Sequence, residues 1–339
     1  MLTTVLPAGL AAFTLGTTFA DPSSMTARTP SRSISTAAWV AAALAVAVCI
    51  AANCRPSRVY AASSLASPAA SAPSAAIAAH SIRPDATPVL VELFTSEGCA
   101  SCPAADRLLA QLQRTQPIAS ADILALEEHV DYWDSLGWRD RFSSRTFSTR
   151  QDIYGERLRL DSEFTPQMVV DGTQQLVGSD IVHALPAIAR AAAAPKLALT
   201  LSPLTVDAGH LAGTVSVARP AAARRSAGAY ATSVSAAGIY AAIVQPMAST
   251  HVLNGDNIGQ TLQHDSVVRG LQRIGTLAAA TAAPLRFTLS LPTDTPSTTL
   301  RVVVFVQSPG QGAILGATSS SAIAAPADNP IAFADIPGE

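Results

Sequence analysis

Aromatic residues are scarce in this chain, 5% of 339 positions, although 49% of its residues are hydrophobic. Alanine supplies much of that apolar fraction, so the length allows two ordinary domains with a modest core. The Ala/Ser/Pro-rich segments have too little to bury to fold by themselves. Cations never cluster, and the net charge is −2. Without a patch of Lys and Arg to neutralise phosphates, nucleic acid is excluded as a partner. Cysteine is rare as well, with four in the whole chain.

The uncharged apolar run Ala37 to Ala52 (AAWVAAALAVAVCIAA) is slightly short of the ~20 residues a membrane-spanning helix needs. Arg28 and Arg32 precede it and small residues follow, the order of a secretory signal. Signals usually carry their arginines close to the start, which makes Met25 an alternative initiator and Met1 to Ser24 a start-site artefact. Val59-Tyr60-Ala61 is a small-x-small cleavage site. The expectation is a signal and leader over residues 1–61, a flexible linker over 62–87, and a periplasmic or secreted product. The rival reading is an uncleaved anchor, with transient membrane association through the apolar segment. Lipidation at Cys49 or Cys54 fits poorly, because the flanking residues lack the lipoprotein context. Cleavage near Ala61 leaves Cys99 and Cys102 as the mature chain's only thiols, too few for a disulfide scaffold.

From Pro88 the texture changes. Val89 to Phe94 reads as a buried strand. Ala105, Leu108, Leu109 and Leu112 follow helical spacing behind Cys99 and Cys102. Ile123 to Leu126 reads as a second strand, followed by an aromatic loop, HVDYWDSLGWRDRF. Ser144 to Leu160 carries Phe147, Tyr154 and Leu158 at helical positions. Two apolar runs flank Asp171-Gly172, a hairpin signal, after Thr165-Pro166. A helix over Ile181 to Ala193, capped by Ser179 or Asp180, has Pro186 inside it or, if it starts later, in its first turn. Strand, helix with a cysteine pair at its start, strand, helix, Thr-Pro, hairpin, helix is the element order of a thioredoxin fold.

The later chain reads differently. Leu197 to Leu201, Leu211 to Val217, Gly238 to Val244, Leu285 to Leu291 and Leu300 to Val306 are short and β-branched, with no strong helix between them. The expected fold class is an α/β thioredoxin-like domain (88–194) followed by a small antiparallel β-sandwich domain (196–320) and a tail (321–339). Ala218 to Ala237 reads as a low-complexity insertion between two strands.

The blocks VELFTSEGCASCPAAD, EEHVDYWDSLGWRDRFSS, FTPQMVVDG with LVGSD, and NGDNIGQTLQHDSVVR closely resemble the secreted thioredoxin-like family catalogued as domain of unknown function 1223. The resemblance covers roughly residues 89–306 with gaps. It implies a thioredoxin-like fold and hands over no reaction, since the family's activity is unassigned. Cys-Ala-Ser-Cys differs from the Gly-Pro centre of thioredoxins proper, so their redox potential does not carry over.

Cys99 and Cys102 sit where a helix begins, and there free N–H groups and the macrodipole favour a thiolate, the nucleophile of disulfide exchange. The expected roles are Cys99 attacking and Cys102, one turn further in and more buried, resolving. A structural clip over so short a loop constrains little chain entropy. A zinc site needs about four ligands, and no other cysteine remains after cleavage. Glu97, two residues from Cys99, opposes a thiolate there unless it points into solvent. Thr165–Pro166 is expected cis beside the pair, with Pro166 shaping a substrate groove. Val-Glu-Leu-Phe resembles the Val-Asp-Phe-Trp strand of thioredoxins, which implies that Glu92 relays a proton; an edge or surface glutamate is the equal alternative. Asp106 lies on the helix face of Cys102 and reads as a solvated charge.

His129 and Asp131 alternate, as residues on one face of a strand end do. His129 could complete a Cu(I) site with the two thiolates, although a packed loop with Trp133 and Trp138 buried and Tyr132 beside them is the favoured reading. His264 and Asp265 lack a nucleophile serine and read as a turn or as a face docking the two domains. The sequence thus points to a thiol–disulfide oxidoreductase acting on protein thiols and disulfides with an unknown redox partner. It calls for no cofactor. The alternatives are a copper or other metal carrier using Cys99, Cys102 and His129, and a protein-interaction module on a thioredoxin fold.

Overall fold

The computed structural model describes residues 83, 85–218 and 236–321. The expected signal, most of the linker and of the 218–237 insertion, and the tail beyond Ser321 lie outside the described residues. Within them, β1 (Thr87–Thr95), α1 (Cys102–Thr115), β2 (Ala121–His129), α2 (Arg145–Leu158), β3 (Gln167–Val170), β4 (Gln174–Val177) and α3 (Ile181–Ala192) follow in the expected order. The later segment adds β5 (Ala198–Leu201), β6 (Thr205–Asp207), β7 (His210–Ala218), β8 (Gly238–His251), β9 (Thr261–Thr276), α4 (Leu277–Ala282), β10 (Leu285–Ser290), β11 (Arg301–Gln307) and β12 (Ile314–Ser319).

β1 is buried on both faces, which is why it reads as an unbroken apolar run rather than an alternating one. Val89, Val91 and Leu93 pack with Leu108, Leu109 and Leu112 of α1 and Ala184 and Ile188 of α3. On the opposite face Leu90 packs with Leu124, Leu126 and Phe147, and Phe94 with Tyr154. β1 runs parallel to β2 and antiparallel to β3. Pro103 stands in the first turn of α1, where its missing N–H costs nothing, and the helix ends on Gln116 in the left-handed region. α2 starts on Ser144, whose side chain accepts the Thr146 N–H. α3 starts on Asp180, whose carboxylate accepts the His183 N–H, and it runs through Pro186 rather than starting behind it.

The expected boundary at residues 194–196 does not separate the sheets. One eight-stranded mixed sheet runs β12-β11-β8-β9-β2-β1-β3-β4, so four strands of the later segment extend the sheet that begins with β1. Only β5, β6, β7 and β10 make a separate, smaller antiparallel sheet. That small sheet packs on the β8–β11 end of the large one, burying Leu211, Val215, Phe287 and Leu289 against Ile239, Ala241, Val302 and Val304. A sandwich layer is present, but half of it belongs to the large sheet. All described residues fall in one compact unit.

Two further differences affect the site. His264 and Asp265 lie in a long strand, β9, and not in a turn. A short helix, α4, follows β9, capped by Thr276. β9 joins the parallel pair through a single register, Glu127 opposite Val267. That contact brings His264 beside the C-terminal end of β2.

Candidate functional site

β1 ends at Thr95, and a six-residue turn leads into α1. The Cys99 N–H donates to the Ser96 carbonyl at 3.1 Å and the Cys102 N–H to the Cys99 carbonyl at 3.2 Å. Cys99 and Cys102 form a disulfide with Cα atoms 5.4 Å apart. Cys102 is the first residue of α1, and Cys99 sits in the preceding turn. The sequence placed Cys99 in the more open position, but both are buried, at 1% and 0% exposure. The distant β8–β9 connection reaches this turn. Asn257, itself 1% exposed, donates from Nδ2 to the carbonyls of Glu97 (2.9 Å) and Cys99 (3.0 Å).

Trp133 borders the same turn. A Cβ on Gly98 would stand 3.3 Å from the Trp133 Cβ, and the indole N–H donates to the Thr165 hydroxyl at 2.8 Å. The Thr165–Pro166 bond is cis. Gly178 donates to the Pro166 carbonyl at 2.9 Å, and its missing side chain leaves room for Leu93, Ala105 and Pro166 to approach. Thus Trp133 links Gly98, which precedes Cys99, to Thr165 at the cis bond. Trp133 and Trp138 are half-buried, not enclosed, and Tyr132 is 37% exposed.

Asp106 differs from its expected solvated state. It is 3% exposed and accepts the Thr95 hydroxyl at 2.7 Å. Burial, and then the nearby Glu127 charge, push its carboxyl up to about 7 against the pull of His264 and His129. Glu92, read as a proton relay, faces the other side of the sheet. Its carboxylate takes the Arg150 Nε–H at 2.6 Å and the Tyr154 hydroxyl at 2.6 Å, and Gln307 joins through Tyr154. Its partners are those of a buried ion pair and not the cysteines. The neighbouring Glu128 is pushed well above the usual range by burial and by Glu92.

Beyond Asp106 lies a second buried polar group. Glu127 and His129 project from the same face of β2, two residues apart, and His264 comes from β9. His129 Nδ1 stands 2.6 Å from Asp140 Oδ2, and His264 Nδ1 stands 2.7 Å from Glu127 Oε1. His129 Nε2 lies 3.3 Å from Glu127 Oε1, and His264 Nε2 lies 3.3 Å from Glu97 Oε1. Glu97 accepts the Trp138 indole N–H at 2.8 Å, and Asp140 accepts the Glu97 N–H at 2.9 Å. Burial pulls both imidazoles down, but for His129 the charges and hydrogen bonds of Asp140 and Glu127 together outweigh it, and it stands well above its usual value. For His264 burial is the largest single effect, but the Glu127 charge with the hydrogen bonds to Glu127 and Glu97 together raise it to about 9. Burial pushes Glu127 up, yet His264 and His129 hold it at about 2.

His129 therefore groups with Glu127 and His264, their donor atoms within 4.8 Å of one another, and neither cysteine is in that group. Asp131 does not share its partners: it accepts the Ser148 hydroxyl at 2.5 Å. Glu127, Asp140 and Asn257 were not picked out from the sequence. The signal for Glu127 was a carboxylate ending an apolar strand, where exposure was the simpler assumption. Asn257 lay inside NGDNIGQTLQHDSVVR with nothing local to show that it reaches the cysteines.

A family model described as "Protein of unknown function (DUF1223)" matches residues 90–307. An X-ray crystal structure of a protein from Agrobacterium tumefaciens is similar over 69% of this chain and 94% of its own, with 22% identity and a TM-score of 0.50. That likeness speaks to the fold alone. No curated protein matches the chain.

Proposed function

The chain belongs to the DUF1223 family, whose name assigns no reaction, and we propose from its own cysteines that it is an exported, thioredoxin-like thiol–disulfide oxidoreductase. The carrying observation is the Cys99–Cys102 disulfide at the start of α1, with the buried Asp106 one turn along the same helix. A clip closing so short a loop does little for stability through chain entropy, whereas the helix start favours a thiolate.

In the oxidising direction a substrate thiolate attacks Cys99 Sγ. The bond to Cys102 breaks and its electron pair leaves on Cys102 Sγ. Asp106, titrating at about 7, supplies the proton that turns this sulfur into a thiol. A second substrate thiolate attacks the substrate sulfur of the mixed disulfide, and Cys99 leaves as a thiolate. The substrate gains a disulfide, the pair holds two electrons, and a partner disulfide must remove them. The reducing direction uses the same atoms in reverse. Pro166 and Trp133 border the surface that receives substrate, and the segment around Asn257 must lift to uncover Cys99. Glu92, committed to Arg150, keeps a structural role.

Copper carriage through Cys99, Cys102 and His129 is less well supported, because His129 groups with Glu127 and His264 and neither cysteine is in that group. The test is insulin reduction and refolding of a reduced disulfide protein by the full chain. Wild type is expected to be active in at least one assay and Cys99→Ser inactive. Inactivity of the wild type in both, or unchanged activity in Cys99→Ser, would remove the proposal.

A further inference from the structure

We propose that Glu127, His129 and His264 form a binding site for a divalent transition-metal cation, apart from the cysteine pair. Their donor atoms converge within 4.8 Å, and the side chains are buried. Each imidazole stands between an outer carboxylate and the shared Glu127, His129 closer to the outer one and His264 closer to the shared one. His129 turns Nδ1 to the Asp140 carboxylate at 2.6 Å and Nε2 towards Glu127 Oε1. His264 turns Nε2 to the Glu97 carboxylate at 3.3 Å and Nδ1 to the same Glu127 Oε1. One ring nitrogen facing an outer carboxylate, with the other facing a shared centre, is how proteins orient metal-ligating histidines.

Distances and orphaned atoms support this. A tetrahedral ion with ligand bonds of ~2.0–2.2 Å holds its ligands about 3.4 Å apart. His129 Nε2 and Glu127 Oε1 stand 3.3 Å apart, and this nitrogen has no hydrogen-bond partner; His264 Nε2 and Glu97 Oε1, also 3.3 Å apart, have none either. Fully buried nitrogens are normally satisfied, so an orphan aimed at a carboxylate at ligand spacing calls for a missing occupant. His264 Nδ1 and Glu127 Oε1, at 2.7 Å, part by less than an ångström to admit the ion. The outer groups are already fixed: Asp140 accepts the N–H of Phe142 at 2.8 Å, and Glu97 accepts the Trp138 indole N–H at 2.8 Å. Glu127 Oε2 is held by the Asp265 N–H at 2.9 Å, which leaves Oε1 for the ion.

The donor set selects the class. Two imidazoles and a carboxylate, without thiolate, suit Zn²⁺, Co²⁺ or Fe²⁺ rather than Cu(I). Three protein ligands leave a fourth position for water. The negative charge of Glu127 and Asp140 offsets that of the ion. We commit to Zn²⁺ as the probe.

Full-length protein is reconstituted with excess Zn²⁺, dialysed, and its metal measured by mass spectrometry. The expected result is one zinc per chain in the wild type and in a Cys99→Ser/Cys102→Ser variant, with loss in His264→Gln. Asp140→Asn, which removes only an outer partner, should weaken zinc affinity ~10–100-fold. The Co²⁺ form of the wild type should show visible ligand-field absorption without a thiolate charge-transfer band. Substoichiometric zinc in the wild type, zinc retained by a folded His264→Gln, zinc lost from the cysteine variant, or a thiolate band would overturn the site. If His264→Gln does not fold, the cysteine variant and the cobalt spectrum decide.

Discussion

Asp106 is neutral or charged according to pH in a range that matters for thiol chemistry. Its folded carboxyl is raised from 3.8 to about 7 by burial, then by Glu127, with His264, the Thr95 hydroxyl and His129 opposing. The native state therefore holds this proton more tightly than the unfolded chain does. Its stabilising contribution is complete below about 3.8 and lost as pH rises through about 7. Asp106→Asn cannot ionise, so its Tm should gain on that of the wild type as pH is raised from about 5 to about 8. Thermal melts of the two oxidised proteins across that range test this; parallel curves would remove the buried acid from the account. The sequence revealed that Asp106 shares a helix face with Cys102 but not its burial, because β2, β9 and their loops, not α1, enclose it. Glu92 shows the converse. Its place in a buried strand was legible, but which face it used, and its pairing with Arg150 fifty-eight residues away, were not.

The legible elements are those whose periodicity is local. β1, α1, α2 and α3 carry apolar spacing, caps or a proline that fix their starts within the segment itself. β9 has no such pattern: TLQHDSVVRGLQRIGT places polar residues on both faces, because His264, Asp265 and Ser266 are buried among polar partners rather than exposed. The β8–β9 connection is equally opaque and is the element that bonds to the cysteine turn. Asn257 contributes two hydrogen bonds to the cysteine turn, each worth about 1 kcal/mol net. If this segment must lift before a thiol reaches Cys99, Asn257→Ala removes about 2 kcal/mol from that step, and dithiothreitol should reduce the pair up to ~30-fold faster. Free-thiol titration over time measures the rate. Equal rates in the two proteins would show that Asn257 does not gate access.

Across the whole molecule, the two halves of the sequence were read as separate bodies because strand signals do not say which sheet a strand joins. β8, β9, β11 and β12, from Gly238 onward, complete a sheet begun at Thr87, and such long-range pairing leaves no mark in a local window. The chain at the expected boundary of residues 194–196 is also built in. Lys196, its side chain buried, pairs with Asp171 in the β3–β4 turn and donates to the Ile314 carbonyl at 2.6 Å. Lys196→Ala leaves the Asp171 carboxylate buried without its cation, a change that costs about 3–5 kcal/mol. Urea denaturation should show a lowered midpoint, and a loss under about 1 kcal/mol would mean that the pair does not join the halves. The central claim concerns exchange at one sulfur, and mixed-disulfide trapping tests it most directly. Cys102→Ser and Cys99→Ser full-length proteins are incubated with reduced and oxidised protein substrates, and adducts are read by non-reducing electrophoresis and mass. The account predicts adducts on Cys99 in Cys102→Ser and few or none in Cys99→Ser. Equal trapping by both, trapping by Cys99→Ser alone, or none by either would contradict it.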